Sequence, residues 1–400
     1  KNCYRPVRCR KIADNRYQFF NHNYFENAAL SVKYTYFTNG VETYSSTFDV
    51  NIAPQSSQEY EIDSLELEKD NHNSVVFEYL AGDFLIASEQ IILSEGKLSA
   101  DINSDGKTTV KPSENKLYIT FDNGSMIFDK STGFITSYIY KNHEMINSFP
   151  LGDFKGFAPA FYRAPLDNDR NICKYWHTMG LQNTSNICKG SNFTDNGDNI
   201  VVTTNIKSLA NCILPVANTQ IKYTIYPNGN ILVDVNCLGG GAVKLLPRFG
   251  VMLEMPKEYE NIKYFGLGED VNLPDYKEHT INKVYQTTVD KLKEDYIKPQ
   301  ESATRCDVRF AEITNASGFG LRFEAVSKPF VFSASHYTSN QWAKAMHRDD
   351  LVDLPTTCVN IDSSVLGAGS NACGPLPDKK DRVGSLSGKK LSFVVKPIGE

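Results

Sequence analysis

The pair Asn-Gly, set between runs that alternate apolar and polar side chains, constrains this chain more than any other feature. Residues 34–37 lead into Asn39-Gly40. Leu117, Ile119 and Phe121 alternate with Tyr118 and Thr120 and then meet Asn123-Gly124. Residues 224–226 lead into Asn228-Gly229, and Ile231, Val233 and Val235 follow with period two. A tight hairpin turn needs positive φ at both central positions, which Asn and Gly tolerate best, and a period of two puts one face of a strand on a core. Recurrent units of this kind predict antiparallel β structure throughout. Residues 315–318 give a softer version between the runs 308–313 and 319–323. The 23 Phe and 21 Tyr agree, since aromatic side chains fit a pleated, half-buried surface. Helical periodicity is scarce. Trp342, Ala345, Met346 and Leu351 among charges predict a short surface helix or two turns within 339–354.

At 400 residues the chain exceeds one ordinary domain. Composition suggests where it divides. Leu98-Ser99-Ala100-Asp101-Ile102-Asn103-Ser104-Asp105-Gly106 is small and polar, and Pro112-Ser113-Glu114 follows. We assign 98–114 to a linker. The short strands of residues 1–97 fit an immunoglobulin-like β-sandwich. Residues 115–400 are then expected to form a much larger β-sandwich.

Charge and cysteine usage exclude several functions. Hydrophobic residues make up 41% and charged residues 22%, which suits a globular chain with a sizeable core. A formal net charge of -5 draws the chain neither to phosphate backbones nor to anionic lipid, so no nucleic acid and no membrane is expected as a partner. No apolar run approaches the roughly 20 residues that cross a bilayer. The start, Lys1-Asn2-Cys3-Tyr4-Arg5-Pro6, has no apolar stretch of the signal-peptide kind. It does not begin with Met, and the simplest expectation is a piece of a longer polypeptide. The compartment, cytoplasm or periplasm, stays open. The nine cysteines have neither the dense spacing of a disulfide scaffold nor the C-x₂-C pairs of a zinc module. They are expected to be mostly buried free thiols.

Few patterns speak of chemistry. Glycoside hydrolysis needs two carboxylates flanking the bond, and the acidic clusters are Asp167-Asn168-Asp169, Glu269-Asp270 and Asp349-Asp350. Neighbours on a strand point to opposite faces, so adjacency argues for turns, caps or surface charge rather than a shared site. There is no G-x-S-x-G elbow, and Gly239-Gly240-Gly241 lacks the Lys-Ser/Thr sequel of a phosphate loop. Two segments stand out. One is Phe161-Tyr162-Arg163-Ala164-Pro165-Leu166-Asp167-Asn168-Asp169. The other is Gly367-Ala368-Gly369-Ser370-Asn371-Ala372-Cys373-Gly374-Pro375, whose glycines allow unusual backbone angles and close approach to a ligand.

These segments resemble the last domain, or small chain domain, of family 2 β-galactosidases. The first is similar to that family's F-x-R-A-P-x-D-N-D signature. Pro247-Arg248-Phe249-Gly250 resembles its short Arg-Gly strand. Residues 265–275 resemble its G-x-G-P-x-E-N-Y-x-D loop. Pro299-Gln300-Glu301, with Arg305 and Arg309 after it, resembles its P-Q-E-x-G-x-R-x-x-x-R block. Asn360-Ile361-Asp362 with 367–375 resembles its closing N-x-D…G-x-G-S-N-S-C-G-P block. Upstream, Arg5-Pro6-Val7, residues 27–40 and residues 49–55 resemble the immunoglobulin-like domain that precedes it. The resemblance covers nearly the whole chain, in order. It departs at Val271, Leu273 and Ala372, where the family has Glu, Tyr and Ser. Cys373 stands where some relatives carry a Trp that stacks on sugar, so no aromatic platform is carried over.

The resemblance implies an all-β fold, an immunoglobulin-like β-sandwich followed by a galactose-mutarotase-like super-sandwich. It implies a parent enzyme that cleaves terminal β-D-galactosyl bonds with retention. The catalytic carboxylates would lie in a TIM barrel that this chain lacks, so no catalytic residue is expected here and the chain alone should be inactive. Gly369, Ser370, Asn371 and Cys373 are the expected pocket-facing residues. Arg163, Asp167, Asn168 and Asp169 either serve the same pocket or lock the fold as an ion-pair network. The expected partners are a β-galactoside or other carbohydrate and the barrel region, in cis or as a large subunit, with a homo-oligomer for the parent. No cofactor is expected in this chain, because the family's sodium and magnesium sites belong mainly to the barrel. Three rival readings stand beside this one: a non-catalytic carbohydrate-binding module, a natural small subunit of a heteromeric enzyme, and an enzyme of mutarotase type, which only the shared sandwich suggests and for which no His and Glu pair has a matching motif.

Overall fold

The computed structural model describes residues 2–98, 100, 102, 105–146 and 156–399. The chain divides into two units. The first comprises 1–97 with 265–269 and 277–285; the second comprises 98–264, 270–276 and 286–400.

The first unit is a sandwich. Strands β1 (Val7–Lys11), β2 (Arg16–Asn21) and β5 (Ser57–Glu61) form one sheet in the order β1-β2-β5. Strands β3 (Ala28–Thr38), β4 (Val41–Ile52), β6 (Asn73–Ala81) and β7 (Phe84–Ser94) form the other in the order β4-β3-β6-β7. All pairs are antiparallel, and the chain changes sheet after β2, β4 and β5, the Greek-key habit of immunoglobulin-like domains. Alternation explains the packing. Tyr17 and Phe19 point inward from β2, while Val75, Phe77 and Tyr79 point inward from β6. The Phe77 ring meets Tyr17 edge-on at 5.1 Å and Phe19 at 5.4 Å. Each such buried ring contributes about 1.5–3 kcal/mol. The phenols of Tyr34 and Tyr44 both donate to Asp63 Oδ2 at 2.5 Å, and that of Tyr36 donates to the Asp63 carbonyl at 2.9 Å. They pin the chain between β5 and β6. Segment 277–285 is stitched on by Gln90, whose side chain donates to the Asn282 carbonyl at 2.8 Å and accepts its N–H at 2.7 Å.

The second unit is larger. Among the described residues it carries two five-stranded sheets and most of a nine-stranded one. The nine-stranded sheet opens as a meander, Thr184–Asp195, Ile200–Ala210, Leu214–Ile225 and Ile231–Gly240. Within this unit it continues through Lys390–Ile398, Gly320–Ala325 and Phe310–Thr314 to residues 261–264. One five-stranded sheet runs from His143–Glu144 to Thr109–Pro112 and packs Phe128 against Tyr223 at 6.1 Å. The other runs Ala158–Ala160, Arg248–Pro256, Thr356–Val365, Phe330–Ser335, Arg305–Val308. Its second and third strands are buried at nearly every position, so both faces are covered. Charged residues on them must therefore find partners inside the protein. No described helix is long and apolar enough to cross a membrane.

The structure differs from sequence expectation at particular points. Asn39-Gly40 is the expected two-residue turn, with φ 50° and 77°. At the second site the turn residues are Asp122 and Asn123, and Gly124 already pairs with Phe121. Gly124 is needed in the strand, because a Cβ there would sit 2.3 Å from the Ile139 carbonyl. Between Ile225 and Ile231 the loop is longer, and only Gly229 takes positive φ, 87°. Asn196-Gly197 makes a further hairpin without a flanking sequence signal, because the exposed edge strand before it shows no alternation. Thr109–Pro112, assigned to the linker, is a strand paired with Lys116–Phe121. The helix expected within 339–354 is Ser339–Lys344 followed by a turn, Arg348–Asp350. The cysteines are free as expected but not mostly buried: Cys237, Cys306 and Cys358 are, while Cys3, Cys212 and Cys373 are exposed.

Candidate functional site: four segments tied into one cluster

The first segment is shaped by Arg163. Its guanidinium is fully buried, donates to Asp169 Oδ2 at 2.6 Å and to the Leu366 carbonyl at 3.3 Å, and lies over the Trp176 ring at 5.6 Å. Asp169, also buried, accepts the Leu166 N–H at 2.8 Å through the same oxygen. A carboxylate three residues along that closes on a backbone amide turns the chain sharply, and Asp167–Asp169 is a single 3₁₀ turn. Helix α1, Ile172–Met179, follows and ends at Gly180 with φ 74°. It is anchored by Trp176, whose indole N–H donates to the Leu245 carbonyl at 2.8 Å.

The turn holds the second segment. Asn168 donates to the Gly369 carbonyl at 2.6 Å, and Asn171 donates to the Asn371 carbonyl at 2.7 Å. A third segment enters through Asp275, whose carboxylate accepts the N–H groups of Ala368 and Gly369, both at 2.7 Å. Two backbone amides converging on one anion form a nest. This explains both glycines. A Cβ on Gly367 would lie 2.5 Å from Asp275, and Gly369 has φ 58° with Pro377 only 2.6 Å from any Cβ. The fourth contact is Gln300, which accepts the Asp167 N–H at 2.9 Å.

Beyond Gly369 the loop closes on itself. Ser370 accepts the N–H groups of Cys373 at 3.0 Å and Gly374 at 2.6 Å, and donates its own N–H to Pro375 at 3.1 Å. Ser370 and Cys373 are exposed, while Asn371 is half-buried with a side-chain oxygen that has no partner among the described residues. The structure thus gathers Arg163, Asp167, Asn168, Asp169, Gly369, Ser370, Asn371 and Cys373 into one cluster. Arg163 and Asp169 are sealed inside it; Asp167, Ser370 and Cys373 meet solvent. Asp275 and Gln300 were not singled out from sequence, and only their places in the family-like blocks marked them.

Behind the loop, strand Thr356–Val365 carries Asp362, which is fully buried. Burial pushes its carboxyl up to about 7, and Glu301 adds to the push. Arg248 pulls the other way. Its Nε lies 3.2 Å from Asp362 Oδ2, yet neither atom makes an aligned hydrogen bond, so desolvation wins. The other acidic clusters lie at the surface. Asp350 accepts the N–H groups of Met346 and His347 at 2.9 Å, which holds it below the usual carboxylate range. Glu269 and Asp270 are exposed. Within the loop cluster, Asp169 is tied to Arg163 and Asp275 to two amides, an arrangement for positioning rather than proton transfer.

The sequence model of the family described as beta galactosidase small chain matches residues 120–395. The β-galactosidase of Actinobacillus pleuropneumoniae is 30% identical over 393 residues, covering 94% of this chain and 37% of that protein. Those of Halalkalibacterium halodurans and Priestia megaterium are 25% and 26% identical, covering 88% and 93% of this chain but 35% and 36% of theirs. Among solved structures, a galactose 1-epimerase from Lactobacillus acidophilus NCFM aligns with 74% of this chain and 100% of its own, at 8% identity and a TM-score of 0.46. The chain therefore spans little more than a third of these curated relatives. On the extent of the family match, it belongs to the beta galactosidase small chain family.

Proposed function

We propose that this chain is the C-terminal, non-catalytic part of a retaining β-galactosidase, and that its 367–375 loop borders the aglycone side of the sugar pocket. Retention requires two carboxylates placed on either side of the glycosidic bond. We assign them, with any sodium or magnesium, to a barrel region outside this chain, supplied in cis within a homo-oligomeric parent or as the large subunit of a heteromeric enzyme. The observation that carries the reading is the cross-tying of the loop. Asn168, Asn171 and Asp275 fix its backbone while Ser370 and Cys373 stay open to solvent. A rigid rim with short side chains is what a pocket that admits varied aglycones needs.

The test is hydrolysis of a chromogenic β-galactoside by the purified chain, alone and with the catalytic region restored. No turnover alone and turnover on reconstitution is the expected pair of results. Within the restored enzyme, Asn371→Ala and Cys373→Trp should change kcat/KM differently for small and bulky aglycones. A kcat/KM left unchanged by both replacements for every aglycone would remove the loop from the pocket. Turnover by the chain alone that survives repurification would overturn the assignment of the carboxylates.

A further inference from the structure

A cavity in the second unit borders the supports of the 367–375 loop, since Gln300 lines it and also accepts the Asp167 N–H, but no residue of the loop itself is on its wall. Its volume is about 320 Å³, and its walls come from two stretches, 293–302 and 337–351. Tyr296, Tyr337 and Trp342 give it aromatic faces, while Lys293, Asp295 and Arg348 give it charge of both signs. We propose that this cavity binds a neutral saccharide of one or two sugar units.

The charges argue against an anionic ligand. Lys293 is paired with Asp295 at 2.6 Å, and Arg348 lies 3.8 Å from Asp349. The lining sets Lys293 and Arg348 against Glu294, Asp295 and Asp349, so an anion gains no net attraction. The same groups keep spare donors and acceptors, which suit hydroxyls. The aromatic faces suit the C–H surfaces of a pyranose ring, an apolar contact that survives in water. Size agrees, since the volume falls at the small end of ligand sites.

Trp342 adds a separate reason. Its side chain is buried, and its indole N–H has no acceptor among the described residues. A buried donor without a partner is destabilising, and one on a cavity wall can be relieved by a ligand oxygen. The other tryptophan, Trp176, spends its N–H on Leu245.

The choice of galactose as first probe rests on the proposed function; the site itself does not. The two tryptophans are Trp176 and Trp342, so the emission of the intact chain reports the cavity against a buried, fully bonded background. The chain is titrated with galactose, lactose and glucose, with sodium sulfate as the ionic control. A saturable change at millimolar sugar is expected, absent with sulfate. Tyr296→Ala and Arg348→Ala, both at exposed positions, should each weaken it by about tenfold. Trp342→Phe should abolish the emission change, and ligand-observed NMR should then show weaker binding. No saturable change with any of the three sugars would overturn the proposal. So would an affinity untouched by both Tyr296→Ala and Arg348→Ala, a preference for sulfate, or a signal lost in Cys373→Ala but kept in Tyr296→Ala, which places the sugar on the loop. Failure of reconstituted hydrolysis leaves this titration unaffected, so the two readings fail separately.

Discussion

Asp275 and Gly369 stand 94 residues apart and are joined by a 2.7 Å hydrogen bond, the carboxylate accepting the glycine N–H. The second oxygen takes the Ala368 N–H at the same distance. The loop therefore owes its shape to a side chain that belongs to a different motif. Motifs so far apart along the chain act here as parts of one support.

Replacing Asp275 with Asn keeps one acceptor and puts a donor where the second was. Asp275→Asn is expected to loosen the loop by about 1–2 kcal/mol. The fold should survive, because the carboxylate is exposed and no core packing is lost. Faster amide exchange confined to Ala368 and Gly369 is the readout. Unchanged exchange at both would show that the carboxylate is not what orders them.

The Arg163–Asp169 pair is a different case, since both side chains are buried and 2.6 Å apart. Removing one partner leaves the other as an uncompensated charge. Asp169→Ala should cost about 3–5 kcal/mol, and Arg163→Met a similar amount. The double variant should cost less than the sum of the singles. Thermal unfolding of the four proteins measures this. An additive result would mean that the two groups do not interact energetically.

The hairpins were legible because a turn and its flanking alternation lie within a dozen or so residues. The family-like blocks were legible as strings, in order. The contacts between blocks were not. Asn168 meets Gly369 and Gln300 meets Asp167 across long separations, and nothing local in either string encodes the partner. Helix α1 was missed because its buried side consists of only Ile172 and Trp176, too few positions for a period to show. Segment 277–285 joins the first unit through Gln90 to Asn282, Asn2 to the His279 carbonyl and the Val284 N–H to the Gly40 carbonyl, again contacts without a local pattern.

Asp362 gives the protein a pH dependence with a definite sign. Its folded carboxyl sits at about 7, above the ordinary value of 3.8, so the folded state holds a proton that the unfolded state releases. Stability is then fully present below about pH 4 and is lost as pH rises toward 7. Asp362→Asn imitates the neutral acid and removes the titration. Urea unfolding at pH 5 and pH 8 should show the natural chain losing on the order of 1 kcal/mol or more relative to Asp362→Asn. Equal pH dependence in the two proteins would mean that Arg248 keeps Asp362 ionised throughout.

Gly369 and Gly82 have the same φ, 58°, but different surroundings. Around Gly82 nothing lies within 4 Å of an added Cβ, whereas at Gly369 Pro377 lies at 2.6 Å. Alanine at either site incurs the backbone strain of the left-handed region, about 1 kcal/mol. At Gly369 it must also displace a proline ring, and through it the 367–375 loop. Gly82→Ala is therefore expected to cost about 1 kcal/mol, and Gly369→Ala at least about twice that, with the larger effect confined to the unfolding of the second unit. Chemical denaturation resolves the comparison. Equal costs would show that Pro377 yields freely, and that φ alone explains the glycine.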